Sequence, residues 1–210
     1  MAGVPKNFEA ISNVLANYNY VDLAAGTGII LFYAGKTADL SLLSNNEFYS
    51  EPIFTTSGSF SEVASTKRID LDFDVQLNRP LVIKGIVVLN VPIRIYVSQD
   101  TTQVIVTARV RKWDGVTETE ICTNDSSASL RTGAGTSYFM KAIDLTIPLT
   151  TFKIGETLRL TIELWSSRSG VAGNADCGVA FDPMNRVTDW DTTGTVPSKL
   201  VFQCPVMLNL

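Results

Sequence analysis

The stretch IDLDFDV, Ile69 to Val75, alternates apolar and acidic residues without a break. In an extended chain successive side chains point to opposite faces. Ile69, Leu71, Phe73 and Val75 then line one face, and Asp70, Asp72 and Asp74 the other. Such a strand belongs to a sheet with one side on a core and one side in water. The pattern returns in TLRLTIELW, Thr157 to Trp165. There Leu158, Leu160, Ile162 and Leu164 face inward, and Thr157, Arg159, Thr161 and Glu163 face out.

Outward from these two stretches, period-two alternation dominates from about residue 47 onward, and helical periodicity is scarce. EFYSEPIFTT (Glu47 to Thr56) reads as a strand interrupted at Pro52. The turn NRP (Asn78 to Pro80) closes the opening strand. LVIKGIVVLN and PIRIYVSQ follow, with Gly85 marking a bulge or a close backbone approach. QVIVTARVRKW and VTETEICT flank Asp114-Gly115, a strong hairpin signal. SYFMKAIDLTIPL leads through the turn KIGE into the second quoted strand, and CGVAF and KLVFQCPVML complete the set. Pro148 and Pro205 are expected near strand ends, where a missing donor is tolerated.

The pattern predicts an all-β chain, an antiparallel β-sandwich of about eight to ten strands with jelly-roll or Greek-key connections, a β-barrel being the alternative. No repeat, linker or composition shift divides the sequence, so residues 1–210 read as a single domain. Residues 1–46 are its less regular N-terminal segment. In that segment FEAISNVLANY reads as a short helix or an irregular lead-in, and GTGIILFYAG as a further strand. Two long loops, 124–136 and 166–176, are rich in Ser, Gly, Ala and Asn, and suit either a neighbouring subunit or tolerated insertion.

Composition narrows the chemistry. The net charge of −4 argues against a nucleic-acid partner, which needs clustered Lys and Arg. Arg109, Arg111 and Lys112 do cluster, but beside Glu118 and Glu120, which predicts cross-strand ion pairs. MAGVPKNFEA has no signal-peptide pattern. No apolar run reaches the roughly 18 residues of a membrane span. The expectation is a soluble chain made in the cytoplasm, with no membrane partner. Cys122, Cys177 and Cys204 have no metal-site spacing and are expected as buried thiols. The sequence contains no histidine, which removes the commonest general base and transition-metal ligand.

The remaining candidates are weak as chemistry. GAGTS (Gly133 to Ser137) lacks the lysine of a phosphate loop. Trp113, Trp165 and Trp190 offer a sugar-stacking platform, yet scattered tryptophans are more often core edges or interface anchors. Asp182, with Asp189 or Asp191, supplies oxygen ligands for calcium but at no recognised spacing. Asn124-Asp125-Ser126 is a glycosylation sequon, unused without secretion. Asp70, Asp72 and Asp74 stand about 6.5–7 Å apart and repel by roughly 0.6 kcal/mol per pair in water. That is tolerable on a wet face, with Lys84, Arg94 and Arg159 as candidate partners. A catalytic pair needs a cleft and one buried, protonated acid. The reading names no catalytic, cofactor-binding or metal residue, no cofactor and no enzyme.

FYSEPI, IDLDFDVQLNRPLVIKG, KIGETLRLTIELW, FDPMNR and KLVFQCPVMLNL resemble segments of β-rich virion proteins of tailed viruses of bacteria and archaea. The similarity spans most of the chain after about residue 47 and is one of pattern and turn phrases. It implies a structural virion protein, a capsid decoration (cement) or minor capsid protein. Its partners would be the major capsid protein or other virion subunits, its state a homo-oligomer with a trimer favoured, and its location the virion. The alternative it implies is a tail- or fibre-associated binding module, an adhesin or carbohydrate-binding domain.

Overall fold

The computed structural model describes residues 16–17, 26–38, 40–170, 172–186 and 190–207. Its strands are β1 (Ala16–Asn17), β2 (Thr27–Thr37), β3 (Leu40–Ser44), β4 (Phe54–Thr56), β5 (Thr66–Gln76), β6 (Leu81–Val97), β7 (Thr101–Trp113), β8 (Glu118–Asp125), β9 (Ser129–Thr132), β10 (Gly135–Phe152), β11 (Thr157–Arg168), β12 (Ala175–Ala180) and β13 (Val201–Met207). The chain is an all-β sandwich, as the alternation predicts.

Two layers face each other across one core. In the first, β6 carries β10 along one edge and β12 and β13 along the other. β13 leads on to β2, and β2 to β3. In the second, the order is β5, β11, β7, β8, with β9 beside the start of β7. The layers join where β3 meets β5 in a parallel bridge, Leu42 opposite Asp74. On the far side Asn124 of β8 donates its side-chain N–H to the Asp144 carbonyl of β10, at 2.8 Å.

The apolar sides of the quoted strands behave as their pattern requires, while Thr161 and Glu163 on the polar side of β11 are buried too, because β11 lies between β5 and β7. In β5, Ile69 and Phe73 are buried while Asp70 and Asp72 stay outside. In β11, Leu158, Leu160, Ile162 and Leu164 are fully buried. They meet Ile83, Val87, Leu89 and Val91 of β6 in the shared core. Burial of each such side chain is worth about 1.5–3 kcal/mol. Phe73 and Phe181 pack with ring centres 5.5 Å apart, the offset geometry that aromatic pairs prefer.

The turn chemistry also holds. Asp114 Oδ1 accepts the backbone N–H of Val116 and of Thr117, and Gly115 takes a φ of 100°. Gly85 has a φ of 129°. It stands where the β6 ladder shifts against both β10 and β13. Pro148 and Pro205 sit at these shifts rather than at strand ends. A bulge leaves a backbone position unpaired, so a missing donor costs nothing there.

Three expectations need revision. Residues 1–46, read as less regular, contain β2 and β3 among the described residues. GTGIILFYAG is the body of β2; FEAISNVLANY lies outside the described residues except for Ala16 and Asn17, in β1. The stretch 124–136 is not an open loop, because SLRT pairs with the start of β7 as β9. The stretch 166–176 is pinned by Arg168, whose guanidinium donates to the carbonyls of Ser61, Ala172 and Gly173. Short polar strands such as β9 carry too little apolar alternation to stand out from a loop in sequence. With them the strand count reaches thirteen among the described residues.

Candidate functional site

The outer faces of the two layers differ in kind. Cross-strand pairing places Asp74, Arg159 and Arg111 in one row of the second layer, and Asp70, Glu163, Thr107 and Asp125 in another. Arg159 donates from Nε and Nη2 to the two oxygens of Asp74, both at 2.7 Å. It reaches Glu118 through Nη1 at 3.0 Å and lies 4.9 Å from the ring centre of Trp113. Asp72 accepts the Thr161 hydroxyl, and Asp70 pairs with Lys67 at 2.5 Å. The Arg109–Glu120 and Arg111–Glu118 pairs form as the sequence predicts, while Lys112 turns to Glu156.

The aspartates of IDLDFDV are thus the wet face of a strand, their charges met by Arg159, Thr161 and Lys67. Of the suggested partners, Arg159 is the one used. Arg94 lies in the other layer, paired with Asp176. Among the described residues no group of three or more His, Cys, Asp or Glu side chains is placed to hold a metal ion.

One part of this face is hollow. A depression of about 550 Å³ is walled by Trp165, Ile105, Thr107, Arg109, Thr123 and Asp125. Glu163 adjoins two of these residues, Trp165 and Arg109, with its side chain 5% exposed, between Arg109 Nε at 3.4 Å and Lys67 Nζ at 3.5 Å. It also accepts the Trp165 indole N–H at 2.9 Å. Burial pushes the Glu163 carboxyl upward, but the Trp165 hydrogen bond and the Arg109 and Lys67 charges outweigh it and hold it below its usual range. Glu163 is therefore a charged anchor and not a proton donor. The β5–β11 register slips by one residue beside Trp165, at Arg68. Bulges of this kind re-aim side chains.

The other sequence candidates fall away from this place. Trp190 is 3% exposed, wedged between Phe54 and Tyr138, and serves packing rather than a platform. Trp113 shares the charged face but lies at the opposite end of β11 from Trp165. Asp191 accepts N–H bonds from Thr193, Thr195 and Val196 and both threonine hydroxyls. Asp182 accepts from Met184 N and from the backbone and guanidinium of Arg186. Both carboxylates spend their acceptor capacity on the chain itself, which organises a loop and leaves little for calcium. Asp189 lies outside the described residues. Cys177 and Cys204 are buried and Cys122 half-buried, all as free thiols.

The outer face of the first layer instead carries exposed aliphatic side chains among polar neighbours such as Thr146, Asp144 and Gln203. Ile86 is 66% exposed, Leu149 at the β10 bulge 65%, and Ile29 41%. Val88, Leu31, Val201 and Pro205 share that face by register, half-buried, and Met140 stands opposite Pro92. Lone exposed aliphatics are ordinary, but several on one face stand out. Outward positions of β6 and β13 mix these residues with Lys84, Asn90 and Gln203, and the aliphatic ones come from separate strands, so alternation within one strand does not mark them.

No protein-family model matches the sequence. No curated protein matches it either. Solved structures do match in fold. A CocE/NonD family hydrolase from Staphylococcus aureus aligns with a TM-score of 0.52 at 13% identity, over 86% of this chain and 37% of that one. An aminopeptidase from a Thaumarchaeota archaeon of marine sediment aligns with a TM-score of 0.52 at 10% identity, over 86% and 37%. A structure of the infectious bursal disease virus particle aligns over 82% of this chain, but its TM-score of 0.36 at 10% identity bears no argument. The chain spans just over a third of the hydrolase structures, and at these identities the likeness is one of fold. It corrects one expectation. The sequence reading admitted no enzyme, yet this fold occurs within hydrolases, so that exclusion does not stand. A narrower statement survives: with no histidine, this chain has no residue for a histidine base.

Proposed function

We propose that this chain is a structural virion protein, a capsid decoration or minor capsid protein, that assembles as a trimer and docks on major-capsid subunits. The observation that carries the reading is the contrast between the two outer faces. On one, charges are matched within the chain. On the other, Ile86, Leu149 and Ile29 leave apolar surface in water. Burying such a side chain against a partner is worth about 1–2 kcal/mol, and several together support a permanent interface. The resemblance of IDLDFDVQLNRPLVIKG and KIGETLRLTIELW to β-rich virion proteins supplies the setting. The fold suits it, since paired strands expose two broad faces and few free edges. Mass spectrometry of purified particles tests the reading: the chain in stoichiometric amount supports it, and its absence overturns it.

The hydrolase likeness favours one second reading, a β-module carried beside a catalytic domain. On it the aliphatic face seats that domain. The chain is then recovered in a longer polypeptide with esterase or peptidase activity, not in particles.

A further inference from the structure

The geometry points to a second site on the charged outer face: the depression at Trp165 binds a neutral saccharide. This goes beyond the docking reading and uses the opposite layer.

The depression has an apolar side and a polar side. Trp165 and Ile105 are cross-strand partners and make the apolar side. Thr123, Asp125 and Arg109 make the polar side. A pyranose has the matching division, with C–H groups on its face and hydroxyls at its edge. Volume agrees, since about 550 Å³ lies inside the roughly 300–1,000 Å³ of small-molecule sites.

The aromatic group is fixed before any ligand arrives. The indole N–H is held by Glu163, and Glu163 is held by Arg109 and Lys67. A ring already locked in one position loses little freedom on binding. The polar groups are prepared in the same way. Thr107 donates its hydroxyl to Asp125 Oδ1 at 2.5 Å, which leaves Oδ2 to accept from a sugar hydroxyl. Arg109 gives Nη1 to Glu120, and its Nε stands 3.4 Å from Glu163 as an ion pair, which leaves Nη2 to donate.

Charge selects the class of sugar. Arg109 and Asp125 cancel within the depression, and Glu120 and Glu163 already meet the guanidinium. No surplus positive charge remains for a uronate or a sialic acid, so the ligand is neutral. The site was hard to see in sequence because Arg109, Thr123 and Trp165 come from three strands.

Isothermal titration of the intact chain with cellotetraose, laminaritetraose, maltotetraose and tetra-N-acetylchitotetraose tests the inference, with tetragalacturonate as the anionic arm. At least one neutral tetrasaccharide is expected to bind saturably below about 10 mM. Trp165→Ala and Thr123→Arg each weaken it at least about tenfold, while Trp113→Ala leaves it unchanged. Thr123 is exposed on β8, so its arginine variant fills the depression without disturbing the core. The inference is overturned if none of the neutral sugars binds, if only tetragalacturonate binds, or if binding survives both variants. None of these results touches the docking reading, which concerns the other layer.

Discussion

Arg159 holds Asp74 in a two-pronged grip, Nε to Oδ1 and Nη2 to Oδ2, with both distances 2.7 Å. The pair ties β11 to β5 at the centre of the charged face, and Trp113 lies against the guanidinium. Charge-assisted bonds of this form are among the stronger ones in proteins. Arg159→Ala is expected to cost about 1–3 kcal/mol of stability, read as a lower urea midpoint. Arg159→Lys should recover little, because an ammonium cannot reproduce the planar fork.

Trp190 fills the gap between Phe54 and Tyr138, with Gly178 beneath it. Trp190→Ala is expected to lose about 3–5 kcal/mol, as large-to-small changes at buried aromatics do. Gly178→Ala should also destabilise, since an added Cβ would meet the Thr55 carbonyl oxygen at 2.9 Å. Thermal melts of both variants check this. Saccharide binding by a folded Trp190→Phe chain should be unaffected.

Acid should act through Asp191. Burial opposes its ionisation, but bonds from Thr193, Thr195 and Val196 outweigh that and hold its carboxyl far below the ordinary value of 3.8. A lowered native value means the stabilisation is full above the unfolded value and is lost as pH falls through the native one. The stability gap between the wild type and Asp191→Asn is therefore expected to be full above about pH 5 and to narrow below 3.8. Melting temperatures of both chains across pH 2–7, about the usual range of carboxylate titration, give the comparison.

The cysteines should be slow to react. Burial pushes the Cys122 and Cys177 thiols to about 11 and Cys204 to about 12. At pH 8 only about one in a thousand such thiols is ionised, and the thiolate is the nucleophile. Iodoacetamide is expected to label the native chain negligibly within an hour and all three cysteines in urea. Rapid native labelling would contradict the burial.

Much of the fold was legible because a two-residue period translates directly into a buried and an exposed side. Ile69 to Val75 illustrates this, and so does Asp114-Gly115, whose local chemistry sets its turn; on β11 the inward Leu158 to Leu164 followed the period, while Thr161 and Glu163 on the other side are covered as well. The ion pairs of Arg109 and Arg111 were legible for the same reason: the hairpin fixed which residues stand opposite. What stayed hidden depends on partners distant in sequence. Trp190 looked like a loop residue until Phe54 and Tyr138 closed on it. The aliphatic face required knowing that β13 lies between β6 and β2, and the Trp165 depression required the order β11, β7, β8. Alternation within one strand carries no record of which strand comes next.

On the proposed reading, Ile86, Ile29 and Leu149 lie in the subunit interface of the trimer. Light scattering coupled to size exclusion measures it directly, on the wild type and on an Ile86→Lys, Leu149→Lys double variant. The account predicts a wild type with three times the mass of one chain, and a double variant that is folded and monomeric. A wild type that stays monomeric, or a double variant that keeps the trimer mass, would contradict it.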